Sequence, residues 1–187
     1  MLSDKVNYSC IRLNNPIMYD RSSYELRASY NQWMNQKLYA ICAQIPDDKR
    51  KENLGAFFKS IHGTLNHLLY GDLVWMGRFT GNPLTGNKMG QILYDDFDQL
   101  RRERERLDQE IIDWTKTLSE YWLNQAFEYR SNIDRKTRIL PTWVLVTHLF
   151  NHQTHHRGQL TTLLNQLGYD PGVTDLPWLP ILYDQEG

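Results

Sequence analysis

Thr147-His148-Leu149-Phe150-Asn151-His152-Gln153-Thr154-His155-His156-Arg157-Gly158-Gln159 holds four of the six histidines of this 187-residue chain. His152 and His156 are four residues apart, a spacing that stacks two imidazoles on one face of an α-helix, one turn above the other. A metal ion can take two nitrogens from one rigid element at that spacing. Pro141 suits the first turn of such a helix, and Gly168 followed by Pro171 marks its end. Turning by about 100° per residue from His152, Leu145, His148, Leu149, His156, Leu160, Leu163 and Leu167 share one inward sector. His155 lies at its edge, and Arg157 points away. A buried imidazole needs partners for two nitrogens. A shared metal ion answers that need for three histidines at once; hydrogen bonds to a neighbouring helix are the competing account.

Three more amphipathic helices are expected around this one. Leu26, Tyr30, Trp33, Met34, Leu38, Ile41 and Ile45 recur at helical spacing from about Ser22 to Ile45, where Pro46-Asp47-Asp48 stops the run. A second stripe, Phe57, Ile61, Leu65, Leu68, Trp75 and Phe79, predicts a helix beginning between Leu54 and Phe57 and ending near Phe79. Asp72 falls near the middle of that stripe, so it needs a buried partner, a histidine or an arginine. After a loop rich in Gly, Asn and Pro, Asp95 or Asp96 caps a third helix reaching Leu118, with Arg104 at the one step of its stripe that is not apolar. Phe127 to Arg130 and Thr137 to Leu140 flank a polar turn and read as a short β-hairpin before the histidine helix. Residues 1 to about 20, with Pro16, and the tail from Gly168, with Pro171, Pro177 and Pro180, read as irregular. Trp178, Leu179, Ile181 and Leu182 are apolar enough to pack on the bundle or on a second subunit. The expected fold is all-α, a four-helix bundle with a hairpin before its last helix, in a single domain over residues 1–187.

The composition narrows the function. Hydrophobic residues at 41% and aromatics at 12% indicate a globular chain rather than a disordered one. A net charge of −1, from 21 basic and 22 acidic residues, gives no footprint for nucleic acid or an anionic membrane. The run Arg101-Arg102-Glu103-Arg104-Glu105-Arg106 alternates in sign, as a solvated helix face does. Met1-Leu2-Ser3-Asp4 does not begin a signal peptide, and no stretch reaches the length of a membrane span. A cytoplasmic location is expected. Cys10 and Cys42 make no disulfide framework, and Cys42 reads as a packed thiol.

Metal sites in bundles are built from side chains on facing helices, so a third ligand is expected from another helix. His62 and His67 lie on opposite flanks of the second stripe, and helical geometry does not choose between them.

The stretch His148 to Gln159 resembles the signature of the DinB family, within the DinB/YfiT-like superfamily of candidate metalloenzymes. Ser60-Ile61-His62-Gly63-Thr64-Leu65-Asn66-His67-Leu68-Leu69 resembles that family's second-helix motif, and Gly168-Tyr169-Asp170-Pro171-Gly172-Val173-Thr174-Asp175 resembles its tail. The resemblance implies an up-down-down-up bundle, often a homodimer, with a divalent zinc or nickel ion on three histidines. Carried over by motif, the ligands are His67, His152 and His156. It also implies relatives that include thiol-dependent transferases, so a low-molecular-weight thiol is a candidate partner.

Three protein nitrogens would leave a fourth position for water or substrate, the pattern of a catalytic zinc. A bound water would serve hydrolysis, and a bound thiol would ionise for transfer. His152-Gln153-Thr154-His155-His156 lacks the glutamate of His-Glu-x-x-His, which argues against the metalloprotease mechanism. His148 and Asp72 are the candidate proton acceptors. Gln159 and Asn151 are candidates for orienting ligands, and Arg157 either binds an acidic substrate group or pairs on the surface. A non-catalytic bundle stabilised by its ion is the other function class.

Overall fold

Three of the four long helices begin where a side chain satisfies a free amide of the first turn. In this computed structural model, which describes residues 20–86 and 90–183, Asp20 accepts from the Ser22 amide at 2.9 Å and starts α1, Arg21–Cys42. Ser60 accepts from Gly63 at 3.0 Å and starts α3, Ile61–Thr80. Asp96 accepts from Gln99 at 2.7 Å and starts α4, Phe97–Thr115. The histidine helix, α6, runs Thr142–Gln166 and ends at Gly168, whose φ of 82° is the left-handed stop that glycine permits. Short helices α2, Asp47–Lys51, and α5, Glu120–Leu123, fill two connections, and β1, Ala126–Arg130, pairs antiparallel with β2, Thr137–Pro141. The expected irregular segment at residues 1 to about 20, with Pro16 and Cys10, lies outside the described residues but for Asp20.

Three boundaries differ from the periodicity reading, each for a local reason. The second long helix starts at Ile61, because Gly55 and Lys59 take positive φ values of 75° and 68° and fold residues 54–59 into a tight turn. That turn is closed by Leu54 N–H to Lys59 O at 2.7 Å, and it leaves Phe57 80% exposed. The segment Asp47–Lys51 forms α2 rather than a plain stop: Arg50 reaches back to the carbonyls of Cys42 and Ile45 and binds the last turn of α1. In the tail, two single turns of 3₁₀ helix bury Leu179 and leave Trp178 61% exposed.

The directions of the four long helices follow from their contacts. Asn35 meets Asp108 and Tyr39 meets Phe97, so α1 and α4 are antiparallel. Asp72 meets Arg104 and Phe79 meets Trp114, so α3 and α4 are parallel. Tyr24 meets Thr147 and Arg157 meets Asn31, so α1 and α6 are parallel. The bundle is therefore up-down-down-up. Met34, Leu38, Leu65, Leu69, Leu100, Leu107, Ile111, Leu149 and Leu160 fill its centre. Cys42 is packed there too, and burial pushes its thiol up to about 12, which makes it inert. Among the described residues, no helix is long and apolar enough to cross a membrane.

A buried polar cluster crosses this core. Arg104 of α4 lies 2.7 Å from Asp72 of α3 and 2.9 Å from Asp108, one turn along its own helix. Asn31 and Asn35 of α1 donate to Asp108 at 3.3 and 3.0 Å. Arg157 of α6 donates to Asn31 and, at 3.4 Å, to Gln153, whose amide donates to the Leu68 carbonyl of α3 at 3.2 Å. Arg157 thus departs from the expectation that it points away: it is 4% exposed. The reason is that α6 has two buried faces, one on α3 and one on α1, whereas the wheel assigned it one. Burial lowers the Arg157 guanidinium to about 10, so it keeps its charge at neutral pH. Burial pushes the Asp72 and Asp108 carboxyls up while Arg104 pulls them down. Two cations and two anions leave the cluster neutral.

Replacing Arg104 with Met leaves two buried carboxylates facing each other. Urea unfolding is expected to show a loss of about 3–5 kcal/mol. Arg101→Gln, which removes the exposed pair with Glu105, is expected to cost under about 1 kcal/mol.

Candidate metal centre

His67 on α3 and His152 and His156 on α6 come together where these two helices run antiparallel. Their pairing is read from three contacts: His67 against His156, Gly71 against His152, and Trp75 against His148. The middle contact explains the glycine. A Cβ on Gly71 would lie 2.6 Å from Cε1 of His152, so only glycine leaves room for that imidazole.

The three Nε2 atoms face one another. His67 Nε2 is 3.2 Å from His152 Nε2 and 3.1 Å from His156 Nε2. One neutral imidazole has a single N–H, so it cannot satisfy both neighbours, and the remaining lone pairs repel. A cation between them removes the conflict. For bonds of about 2.0–2.1 Å, a tetrahedral zinc site needs nitrogens about 3.3 Å apart, close to the spacing seen. The donor set therefore fits, and this group can hold a metal ion. Among the described residues the group stops at three.

The surrounding side chains suit that use. Gln159 Oε1 lies 2.8 Å from His156 Nδ1, which places the proton on Nδ1 and leaves Nε2 free to ligate. Phe58 stacks on His67 with ring centroids 3.7 Å apart and meets His156 edge-on. Phe58 is held there because Gly63 lets its carbonyl approach: a Cβ at residue 63 would lie 2.2 Å from the Phe58 oxygen. Burial lowers the His67 imidazole to about 4, with His156 adding to the effect, and lowers His152 to about 3, with the neighbouring histidines adding. Burial also lowers His156, against the pull of Gln159. All three are neutral at pH 7, the state a metal requires.

The other predicted residues divide clearly. His62 turns away and lies 2.9 Å from the Tyr94 carbonyl, so of these two histidines it is His67 that meets the nitrogens of α6. The flank of the α3 stripe faces α6 and Phe58, because Ile61 to Asp72 is buried all round. His148 does not join the three nitrogens. It lies one turn further along α6, its ring 5.8 Å from that of His152, and lines the adjoining cleft. Burial and the nearby Arg78 lower its pKa. Asp72 does not join them either: its carboxylate is held by Arg104 inside the core. Asn151 and His155 are exposed.

The cleft beside the histidines has a volume of about 420 Å³. His67, His152 and His148 line one end, Trp75, Arg78 and Tyr129 a wall, and the hairpin turn from Ser131 to Asp134 the rim. A larger hollow of about 530 Å³ between α3 and α4 contains no histidine. Phe58, Gly71 and Arg78 were missed in the sequence reading. Gly71, one turn beyond His67 with no turn signal near it, was the legible clue, since a mid-helix glycine marks a close approach.

A profile of the DinB family matches residues 18–186. The chain belongs to the DinB family. It is 28% identical over 158 residues to protein DinB of Bacillus subtilis strain 168, covering 78% of this chain and 87% of that protein. Its fold resembles the crystal structure of a DinB-like protein from Bacillus cereus ATCC 10987, with a TM-score of 0.59 and 18% identity over 77% of this chain and 91% of that one.

Two measurements test the centre. Between pH 6.5 and 5, above most carboxylate titration, unfolded histidines take up protons that His67 and His152 refuse. The metal-free protein should therefore lose stability as pH falls, by at most about 1.4 kcal/mol per pH unit for each histidine. Urea unfolding at several pH values should show this, and a flat profile would contradict it. Gly71→Ala displaces His152 and is expected to weaken zinc binding roughly tenfold or more, as loss of a supporting contact does, in a chelator competition assay.

Proposed function

We propose that the chain is a divalent-metal-dependent thiol transferase acting on small molecules, with His67, His152 and His156 as its metal ligands. The convergence of three neutral imidazoles at 3.1–3.2 Å beside an open cleft carries this reading. Three imidazoles suit zinc and nickel alike. When bound, the ion supplies Lewis acidity, lowering the pKa of whatever occupies its remaining position so that it is a nucleophile at neutral pH.

The chain's own residues favour a thiol over water in that role. Hydrolysis asks a general base to draw a proton from water, and with Asp72 committed to Arg104 the one candidate acceptor left is His148, whose basicity burial and Arg78 lower. A thiol, with an ordinary pKa of about 8.5, asks far less of the protein. His148, neutral and facing the cleft, is placed to take that one proton and pass it to solvent. The new carbon–sulfur bond forms as the bond to the leaving group breaks, and the leaving group departs with the electron pair. Phe58 and Gln159 keep the ligand rings aligned, and Trp75 and Tyr129 offer an apolar wall to the substrates.

The test uses zinc- and nickel-loaded full-length protein with cysteine as thiol and monochlorobimane as electrophile. Conjugation above the background rate is expected. His152→Ala should lose both metal and turnover while keeping its far-UV circular dichroism. His148→Gln should keep the metal and lose roughly 10²-fold in rate, the lower range for a proton-transfer group. Ester hydrolysis without thiol would assign water as the nucleophile instead. No turnover by a fully loaded protein would leave a metal-stabilised bundle.

A further inference from the structure

The cleft holds two guanidinium groups, and they differ in their partners. Arg138 is held by Asp134 through two bonds of 2.9 and 2.8 Å. Arg78, three turns along α3 from His67, has no carboxylate partner among the described residues. Its Nη2 donates to the Arg130 carbonyl at 2.9 Å and to Asn132 Oδ1 at 3.3 Å, both neutral oxygens. Its guanidinium lies over Trp75 at 4.5 Å and over Tyr129 at 5.1 Å, so its position is fixed by two rings and the hairpin. A partly buried cation without a counter-charge costs the fold stability, and at the wall of an open cleft an incoming anion can supply that charge.

We infer that Arg78 binds a carboxylate on the far end of the molecule whose other end reaches the three histidines. The identity of that other end rests on the function proposed above; the anion site does not. A single carboxylate is the matching charge, because Asp134 already neutralises Arg138 and one positive charge remains. A planar guanidinium also matches carboxylate geometry. The length of the ligand is set by the wall between. From His152 to His148 the ring centroids are 5.8 Å apart, from His148 to Trp75 5.2 Å, and from Trp75 to the Arg78 guanidinium 4.5 Å. The occupant is therefore an elongated molecule lying along a row of rings, with a metal-seeking group at one end and a carboxylate at the other.

The probes are 6-mercaptohexanoate and 6-mercaptohexanol, equal in length and differing in the anion. Their affinities for the cobalt(II)-loaded full-length protein are read from the sulfur-to-cobalt absorption band. The acid is expected to bind about tenfold more tightly than the alcohol. In Arg78→Gln the ratio should fall to near one, with alcohol affinity and cobalt content unchanged, and Arg78→Lys should keep part of the preference. Equal affinities in the unmodified protein, or a preference that survives Arg78→Gln, would overturn the inference. If Arg78→Gln does not fold, a ratio in Arg78→Lys equal to that of the unmodified protein does the same. If neither thiol perturbs cobalt, the function proposed above fails, and the anion site is judged separately. Hexanoate added to metal-free protein should then shift the Trp75 indole N–H signal, and its failure to do so would overturn the site.

Discussion

Arg104 sits between Asp72 and Asp108 in a mostly apolar core of aliphatic and aromatic side chains. A charged group in such surroundings tolerates little displacement, because each lost partner leaves an uncompensated charge or an unmet donor. Apolar ridges alone would let four helices slide by a turn at modest cost. The cluster makes such a slide expensive for all four at once, since α1 enters through Asn31 and Asn35, α3 through Asp72 and the Leu68 carbonyl, and α6 through Gln153 and Arg157. Leu68 follows His67 and Gln153 follows His152 in the chain, so the clamp holds the backbone beside both histidines.

The histidine centre inherits this register. Its rings are brought so close that proton-based bonding cannot satisfy them, and burial keeps them from becoming charged. The two features act together: neutrality keeps the nitrogens as donors of electron pairs, and rigidity keeps those pairs aimed at one point. Gly71 and Gly63 make the approach possible by offering no side chain where His152 and the Phe58 carbonyl lie.

Polar residues in this protein therefore serve two separate ends. Asp72, Arg104 and Asp108 are enclosed and paired with one another, and Arg157 is enclosed on Asn31 and Gln153. His148 and Arg78 border the cleft instead, and Arg78 keeps a charge that the described residues leave unmatched. The hairpin belongs to the second group. Its turn contributes Asn132 and Asp134 to the rim and fixes the orientation of Arg78.

Much of this was legible in the one-dimensional pattern. Helical periodicity marked the four long helices, the hairpin was visible in its polar turn, and the four-residue step from His152 to His156 announced a paired-nitrogen face. These are properties of a few successive turns, and local geometry dictates them. Asp72 and Arg104 were visible as breaks in two apolar stripes, although not as partners of each other. The choice of His67 over His62, the burial of Arg157 and the placing of Phe58 over the centre needed the packed chain. Each depends on which side of a helix meets a neighbour, and a helix buried all round, as α3 is from Ile61 to Asp72, carries no such information in its own periodicity. The separation of Asp72 from the histidines is of the same kind: a carboxylate on a core stripe goes to the strongest cation within reach, and only the assembly of α3 against α4 put Arg104 there.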